Sequence, residues 1–294
     1  MKPEKFVHRL RVDKPKKFRL ADFDPADTAS MDFEKDIAKA LLAEGVKRLV
    51  ELQERLYAQD RWAVLVIMQA MDAAGKDGAI KHVMSGLNPQ GVQVSAFKAP
   101  SPQELDHDFM WRCAVNLPER GRIGIFNRSY YEEVLVVRVH REFLEKQKLP
   151  RELVTKGIWR QRFEDMVAFE RYLSRNGTKV VKLFLHVSKE EQRQRFLARL
   201  EEPAKRWKFS MGDVAERAHW DEYQDAYEDM IRHTSTEVAP WYVIPADNKG
   251  FARLMVAAAI IDAMEQLDLH YPTVEGAALN EMMKVKKALL AEKG

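Results

Sequence analysis

Residues Ala63-Val64-Leu65-Val66-Ile67-Met68 form an unbroken β-branched and aliphatic run. A strand without polar alternation is one buried on both faces, as in a parallel sheet. Parallel neighbours need crossover connections, usually helices, so this run commits the chain to an α/β layer structure. Similar runs at 92–97, 123–126, 180–187 and 241–244 follow at distances that leave room for helices. Phe33, Ile37, Leu41, Leu49, Leu52 and Leu56 recur at helical spacing and predict one long amphipathic helix ending near Ala58. Further helices are predicted over 106–117, 151–174 and 189–200, the second closed by Asn176-Gly177 and the third opened by a capping box of Ser188 and Glu191. The pattern predicts a doubly wound parallel five-stranded sheet with helices on both faces.

No repeat or linker divides the 294 residues, and 46% apolar content is ordinary for a globular chain. Only 13 Gly and 12 Pro are present, which excludes collagen-like and low-complexity classes. The single Cys113 excludes an intrachain disulfide and a cysteine-built zinc site. The longest apolar runs, 62–68 and 254–261, fall well short of the ~18 residues that cross a bilayer. No membrane association is expected, and the absence of an apolar signal region in the first thirty residues predicts a cytoplasmic protein.

The 48 basic and 45 acidic residues nearly cancel, yet Lys2, Lys5, Arg9, Arg11, Lys14, Lys16, Lys17 and Arg19 face only Glu4 and Asp13 across the first nineteen residues. Residues 1–30 therefore read as a basic arm, suited to a polyanion or to packing on a neighbouring subunit, and 31–294 as one α/β domain. The eight histidines show no metal-ligand spacing, and His186, in an apolar strand, is expected in the core.

Directly after the first strand comes Gln69-Ala70-Met71-Asp72-Ala73-Ala74-Gly75-Lys76-Asp77-Gly78. A Gly-Lys pair between strand and helix is what a phosphate loop requires. Glycine lets backbone N–H groups close around phosphate, lysine adds a point charge, and the helix start adds its dipole. Ala73, Ala74, Gly75, Asp77 and Gly78 are thus candidate phosphate-binding positions, with Lys76 catalytic. Asp72, a carboxylate beside polyanionic phosphate, is a candidate Mg²⁺ ligand. Two positions depart from G-x-x-x-x-G-K-[ST]: Ala70 stands for the first Gly, and Asp77 for Ser or Thr. At the tip of the third strand, Asn127 replaces the metal-binding Asp of a Walker B site, and Arg128 is placed to pair with phosphate. Arg195 and Arg199, at i,i+4, precede the cationic, Pro-interrupted segment Glu202-Pro203 to Ser210. This segment reads as a lid over about 195–213.

These segments, with Asn88-Pro89-Gln90-Gly91-Val92, Phe126 to Glu133 and Ala239 to Asp247, make the chain resemble polyphosphate kinase family 2, in its class III branch, over nearly the whole length. The resemblance implies a P-loop kinase fold and Mg²⁺-dependent phosphoryl transfer between inorganic polyphosphate and AMP, ADP or ATP. It also implies a homo-oligomeric state, dimer or tetramer. By the same resemblance Asp72 binds metal, Lys76 contacts phosphate, and Arg128, Arg195 and Arg199 steady the transferring group. Asn127, Arg128 and Glu132 are expected on the nucleotide, and Lys81, Lys205, Arg206 and Lys208 along a basic groove for polyphosphate. Two other functions are weighed: an ATP-dependent nucleoside monophosphate kinase, and a non-catalytic P-loop protein that binds nucleic acid through its arm. The missing Ser or Thr on magnesium argues against the first, and the clustering of arginines beyond the arm against the second, so no nucleic acid is expected. Trp207 on the lid is a candidate for stacking on a base, and no residue marks an adenine pocket.

Overall fold

The strand expected at 63–68 runs two residues further, as β1 (Ala63–Ala70), and has no exposed position. The computed structural model describes residues 4–29 and 35–292; Lys2 and Phe33 lie outside the described residues. β1 is central in a five-stranded, all-parallel sheet with β2 (Val92–Ala96), β3 (Ile123–Asn127), β4 (Thr178–His186) and β5 (Trp241–Pro245), in the order β2-β3-β1-β4-β5. All five expected strands are present. Because β1 pairs with β3 on one side and β4 on the other, its carboxyl end is a topological switch point, where open α/β sheets bind ligands.

The longer helices are α1 (Glu4–Leu10), α2 (Lys35–Gln59), α3 (Lys76–Val83), α4 (Ile158–Arg175), α5 (Lys189–Glu201), α6 (Trp220–Thr234), α7 (Lys249–Glu265) and α8 (Gly276–Ala291). The apolar run 254–261 lies inside α7, which is buried almost all round against α2 and the sheet. A helix apolar on every side has no stable place on a surface. Among the described residues no helix is long and apolar enough to cross a membrane.

Three local expectations change. Of the helix predicted over 106–117 only Trp111–Ala114 forms, and a separate turn of helix, Pro102–Leu105, precedes it. Ser101 and Glu104 make a reciprocal capping box that starts helix earlier, and the Asp108 carboxylate accepts from Met110 N (2.8 Å), offering the backbone a turn instead. The helix predicted from 151 begins at Ile158, after a short 3₁₀ turn at Arg151–Leu153. It ends as expected, with Gly177 at φ +80° and no room for a side chain beside Arg120. At the start of α5 only half the capping box forms: Ser188 Oγ accepts from Glu191 N, while Ser188 N donates to Asp247 and Glu191 turns to Arg195.

The segment expected as a basic arm is packed on its own chain. Phe6, Val7, Leu10, Val12, Phe18 and Leu20 are buried in the main core. Arg11 bridges antiparallel to Tyr242, and Val12 N donates to Trp241 O (2.9 Å), covering the open edge of β5. Arg232 Nε donates to Phe18 O and Leu20 N to Glu228, so α6 holds the rest. Charge alternates here with buried apolar residues because an exposed edge strand invites mispairing and is best covered.

His186 is in the core as expected, and burial lowers its pKa from 6.5 to about 4. An unfolded chain takes up the proton near pH 6.5, whereas the folded chain resists until about 4. Stability is therefore expected to fall as pH drops through that window, by about 3 kcal/mol in total. Denaturant unfolding at pH 7, 5.5 and 4.5 checks this, and His186→Leu should flatten that part of the profile.

Candidate active site

The loop between β1 and α3 turns through two left-handed residues, Ala73 (φ +59°) and Gly75 (φ +114°), before α3 starts at Lys76. Only glycine adopts the second conformation without strain. The first-turn amides of α3 have no intrahelical acceptors, and the helix dipole adds positive potential there. Lys76 is buried, with Nζ donating to Ala70 O (2.6 Å). Burial first, then the nearby Arg128, pull its pKa down. Ala74 is buried in the core, while Asp77 and Lys81 face outward on α3.

β3 delivers Asn127 and Arg128 beside this loop, with Arg128 N donating to Met68 O of β1 (3.1 Å). Arg128 is itself left-handed (φ +65°), a conformation costly for a non-glycine residue and met at functional sites. Its Nη2 donates to Asp72 Oδ1 (2.8 Å), and Nη1 lies 3.8 Å from Glu132. Glu132, then Asp72, raise the Arg128 pKa against the cost of burial, and burial raises that of Glu132. Asn127 Nδ2 donates to Asp77 Oδ1 (2.8 Å), so two departures from the Walker patterns meet each other. Beneath, a buried network anchors the segment after Arg128. Tyr130 and Tyr131 donate to Glu170 Oε1, and Lys182 Nζ donates to Glu170 Oε2 (2.6 Å), Tyr131 and Thr234 O.

The two arginines of α5 expected on phosphate, Arg195 and Arg199, part company. Arg195 is buried and its donors go to protein: Ala73 O, Ala74 O, Ala246 O, Asp247 O and Glu191. It was expected on phosphate, but a guanidinium has five N–H donors and all are engaged. Arg199 pairs with Asp213 (3.3 Å) and donates to Lys208 O, tying α5 to the segment 203–215. That segment is a 3₁₀ turn, Pro203–Lys208, and a short helix, Met211–Ala215; the range expected as a lid, about 195–213, thus starts inside α5. Burial and Asp72 raise the pKa of Asp213, which places this carboxylate in the field of the loop. Of the cations expected along a groove, Lys205 pairs with Glu202 and Arg206 Nε donates to Leu200 O, while Lys208 lies over the Trp207 ring.

Two cations near the loop belong to no motif of the sequence. Lys249 and Arg253, on the first turns of α7, have pKa values lowered by burial and by Arg195, and Arg253 Nη2 approaches Gly78. Their signal was the i,i+4 pair after the capping Asn248, obscured by the apolar run that follows. A cavity of about 290 Å³ opens beside Arg128 and Glu132, lined also by Phe97, Phe109, Arg112 and Phe143. Trp207 is not part of its lining; it is 78% exposed on the 3₁₀ turn Pro203–Lys208.

Comparison with known proteins agrees with this architecture. The family described as Polyphosphate kinase 2 matches residues 32–272. An ADP-polyphosphate phosphotransferase of Rhodopseudomonas palustris is 50% identical over 285 residues, covering 94% of this chain and 99% of that one. An AMP/ADP-polyphosphate phosphotransferase of Meiothermus ruber is 46% identical, covering 92% and 98%. The crystal structure of polyphosphate kinase 2 from Arthrobacter aurescens superposes with a TM-score of 0.86 at 41% identity, over 98% of this chain and 97% of that one. With a family match over most of its length, near-full-length relatives and a shared fold, the chain belongs to the polyphosphate kinase 2 family.

Proposed function

We propose that the chain transfers a phosphoryl group between inorganic polyphosphate and a nucleotide, taking AMP to ADP and ADP to ATP. The observation that carries this reading is the convergence at the end of β1, where the loop, Lys76 and the Arg128–Asp72 pair meet beside a cavity of nucleoside size. The named activities of the Rhodopseudomonas and Meiothermus relatives support it.

Phosphoryl transfer needs in-line positioning and neutralised charge more than covalent help. The phosphate of AMP or ADP is already largely ionised at neutral pH, its second pKa being about 6, so the acceptor needs no general base. Loop amides and the start of α3 hold phosphate oxygens, and Lys76 and Arg128 bring positive charge to the transferring group. Phe97, Phe109 and Phe143 offer apolar faces for the base. Lys81, Lys208, Lys249 and Arg253 give a polyanion an attractive field, which makes its KM rise with salt.

Among the described residues no cluster of three His, Cys, Asp or Glu is arranged to hold a metal. Magnesium suits the residues nonetheless, since it takes one or two carboxylates and completes its shell with water and phosphate. Asp72 would hold it, with Asp213, whose pKa is raised by burial and then by Asp72, the neighbouring carboxylate. When bound, magnesium screens phosphate charge and orients the oxygens. Assembly of several copies belongs to the same proposal: α8 exposes Leu279, Met282, Val285, Leu289 and Leu290, and light scattering should give a mass above that of one chain, a single-chain mass refuting assembly.

The test is product formation from AMP or ADP with long-chain polyphosphate and magnesium, with no ATP at the start. ADP and then ATP from AMP is the expected result. ATP from ADP alone would restrict the chain to the second step. No product until ATP is supplied would overturn polyphosphate as donor.

A further inference from the structure

Three successive carbonyls of the phosphate loop face α5. Gln192 Nε2 donates to Asp72 O (2.9 Å), and Arg195 Nη1 donates to Ala73 O (3.0 Å) and Ala74 O (2.6 Å). A planar trans peptide holds its C=O and the following N–H in opposite directions. These bonds therefore turn the N–H groups of Ala73, Ala74 and Gly75 away from α5. The Ala74 amide folds back on Met71 O (3.3 Å), whereas those of Ala73 and Gly75 meet no backbone acceptor among the described residues.

Both side chains are locked. Gln192 Oε1 accepts from Arg217 (2.7 Å), which assigns its amide nitrogen to Asp72 O. Arg195 is held by Glu191 (2.7 Å) and spans from the loop to Ala246 O (2.6 Å) and Asp247 O (3.0 Å) beyond β5. Both residues are buried. A cation in such surroundings has little freedom to swing onto a ligand, and its donors already match carbonyls.

We infer that Gln192 and Arg195 are positioning residues that aim the phosphate loop's amides from behind, without touching phosphate themselves. The inference rests on the reading of residues 71–76 as the phosphate site. It separates Arg195 from Arg128 and Lys76, whose charge acts on the substrate directly. It also makes α5 a shared support, since the same helix carries Arg199 to the lid.

The experiment measures binding of long-chain polyphosphate to the full chain by calorimetry across a salt series, for the unaltered protein, Gln192→Leu and Arg195→Gln, with melting temperatures alongside. Each direct cation–phosphate contact contributes close to one unit to the slope of log K against log salt. Both variants are expected to bind about tenfold more weakly, as for other supporting-shell losses, in parallel lines of unchanged slope. A slope reduced by about one in Arg195→Gln would place Arg195 on the phosphate and overturn the inference. Unchanged affinity with a lowered melting temperature would reduce both residues to fold stabilisers and overturn it equally. Gln192→Leu keeps every charge and decides between these outcomes where Arg195→Gln fails to fold. No binding by the unaltered chain would instead remove the phosphate-site reading, and this inference with it.

Discussion

Asp72→Asn is expected to lower kcat by about 10²–10³-fold with little change in melting temperature. Removing one preorganised electrostatic group from a closed site costs that much in other enzymes. The substituted amide keeps an oxygen where Arg128 Nη2 now donates at 2.8 Å, so the loop retains its shape. What disappears is one negative charge, and with it the anchor for magnesium in the proposed mechanism. The ion pair itself contributes little to folding, since Asp72 is 28% exposed and Arg128 38%, and pairs this open are worth ~1 kcal/mol or less. Initial rates beside a circular-dichroism melt check both halves. A near-normal rate would show that the metal is held elsewhere, with Asp213 the next carboxylate to alter.

Lys76→Met is expected to cost a similar factor in kcat while the melting temperature does not fall. The methionine keeps an unbranched stem and loses the charge. In the folded chain Lys76 is buried and its pKa is depressed, chiefly by desolvation. A lysine whose folded pKa lies below its unfolded value is destabilising while protonated, and that cost applies at neutral pH. Removing the ammonium relieves it, offset by the lost bond to Ala70 O. Activity down with stability maintained is the signature of a group kept for function. A large fall in melting temperature would assign Lys76 to the structure of the loop instead.

The strands were legible because burial on both faces leaves no room for polar alternation, so β1 to β5 announce themselves as apolar runs. The loop between β1 and α3 was legible because Gly75 and Lys76 stand where the period changes from strand to helix. Other features depended on partners distant in sequence. The charges between Arg9 and Arg19 suggested an arm for a polyanion or a neighbouring subunit, yet Val12 and Phe18 among them, and Leu20 after them, pack on β5 and α6 of the same chain. The 106–117 pattern matched a helix, but Ser101 and Asp108 offered the backbone other hydrogen bonds. Lys249 and Arg253 belong to no motif, and only the packing of α7 behind α3 brings them near Gly78. The cavity beside Arg128 is assembled from the turns after β2 and β3.

Periodicity and glycine placement act locally, and they suffice for the layer architecture, the position of the loop and the residue types it presents. Which charges are free to meet a substrate depends instead on contacts made across the fold. Arg195 and Arg199 are the same residue one helical turn apart, and no local rule separates them. One faces the loop carbonyls and is consumed by them; the other faces Asp213 and Lys208 O. An arginine's five donors go to whatever acceptors the fold sets around it, and four of those of Arg195 go to carbonyls of residues 73–74 and 246–247, more than fifty positions away along the chain, with Glu191 one turn back taking the fifth.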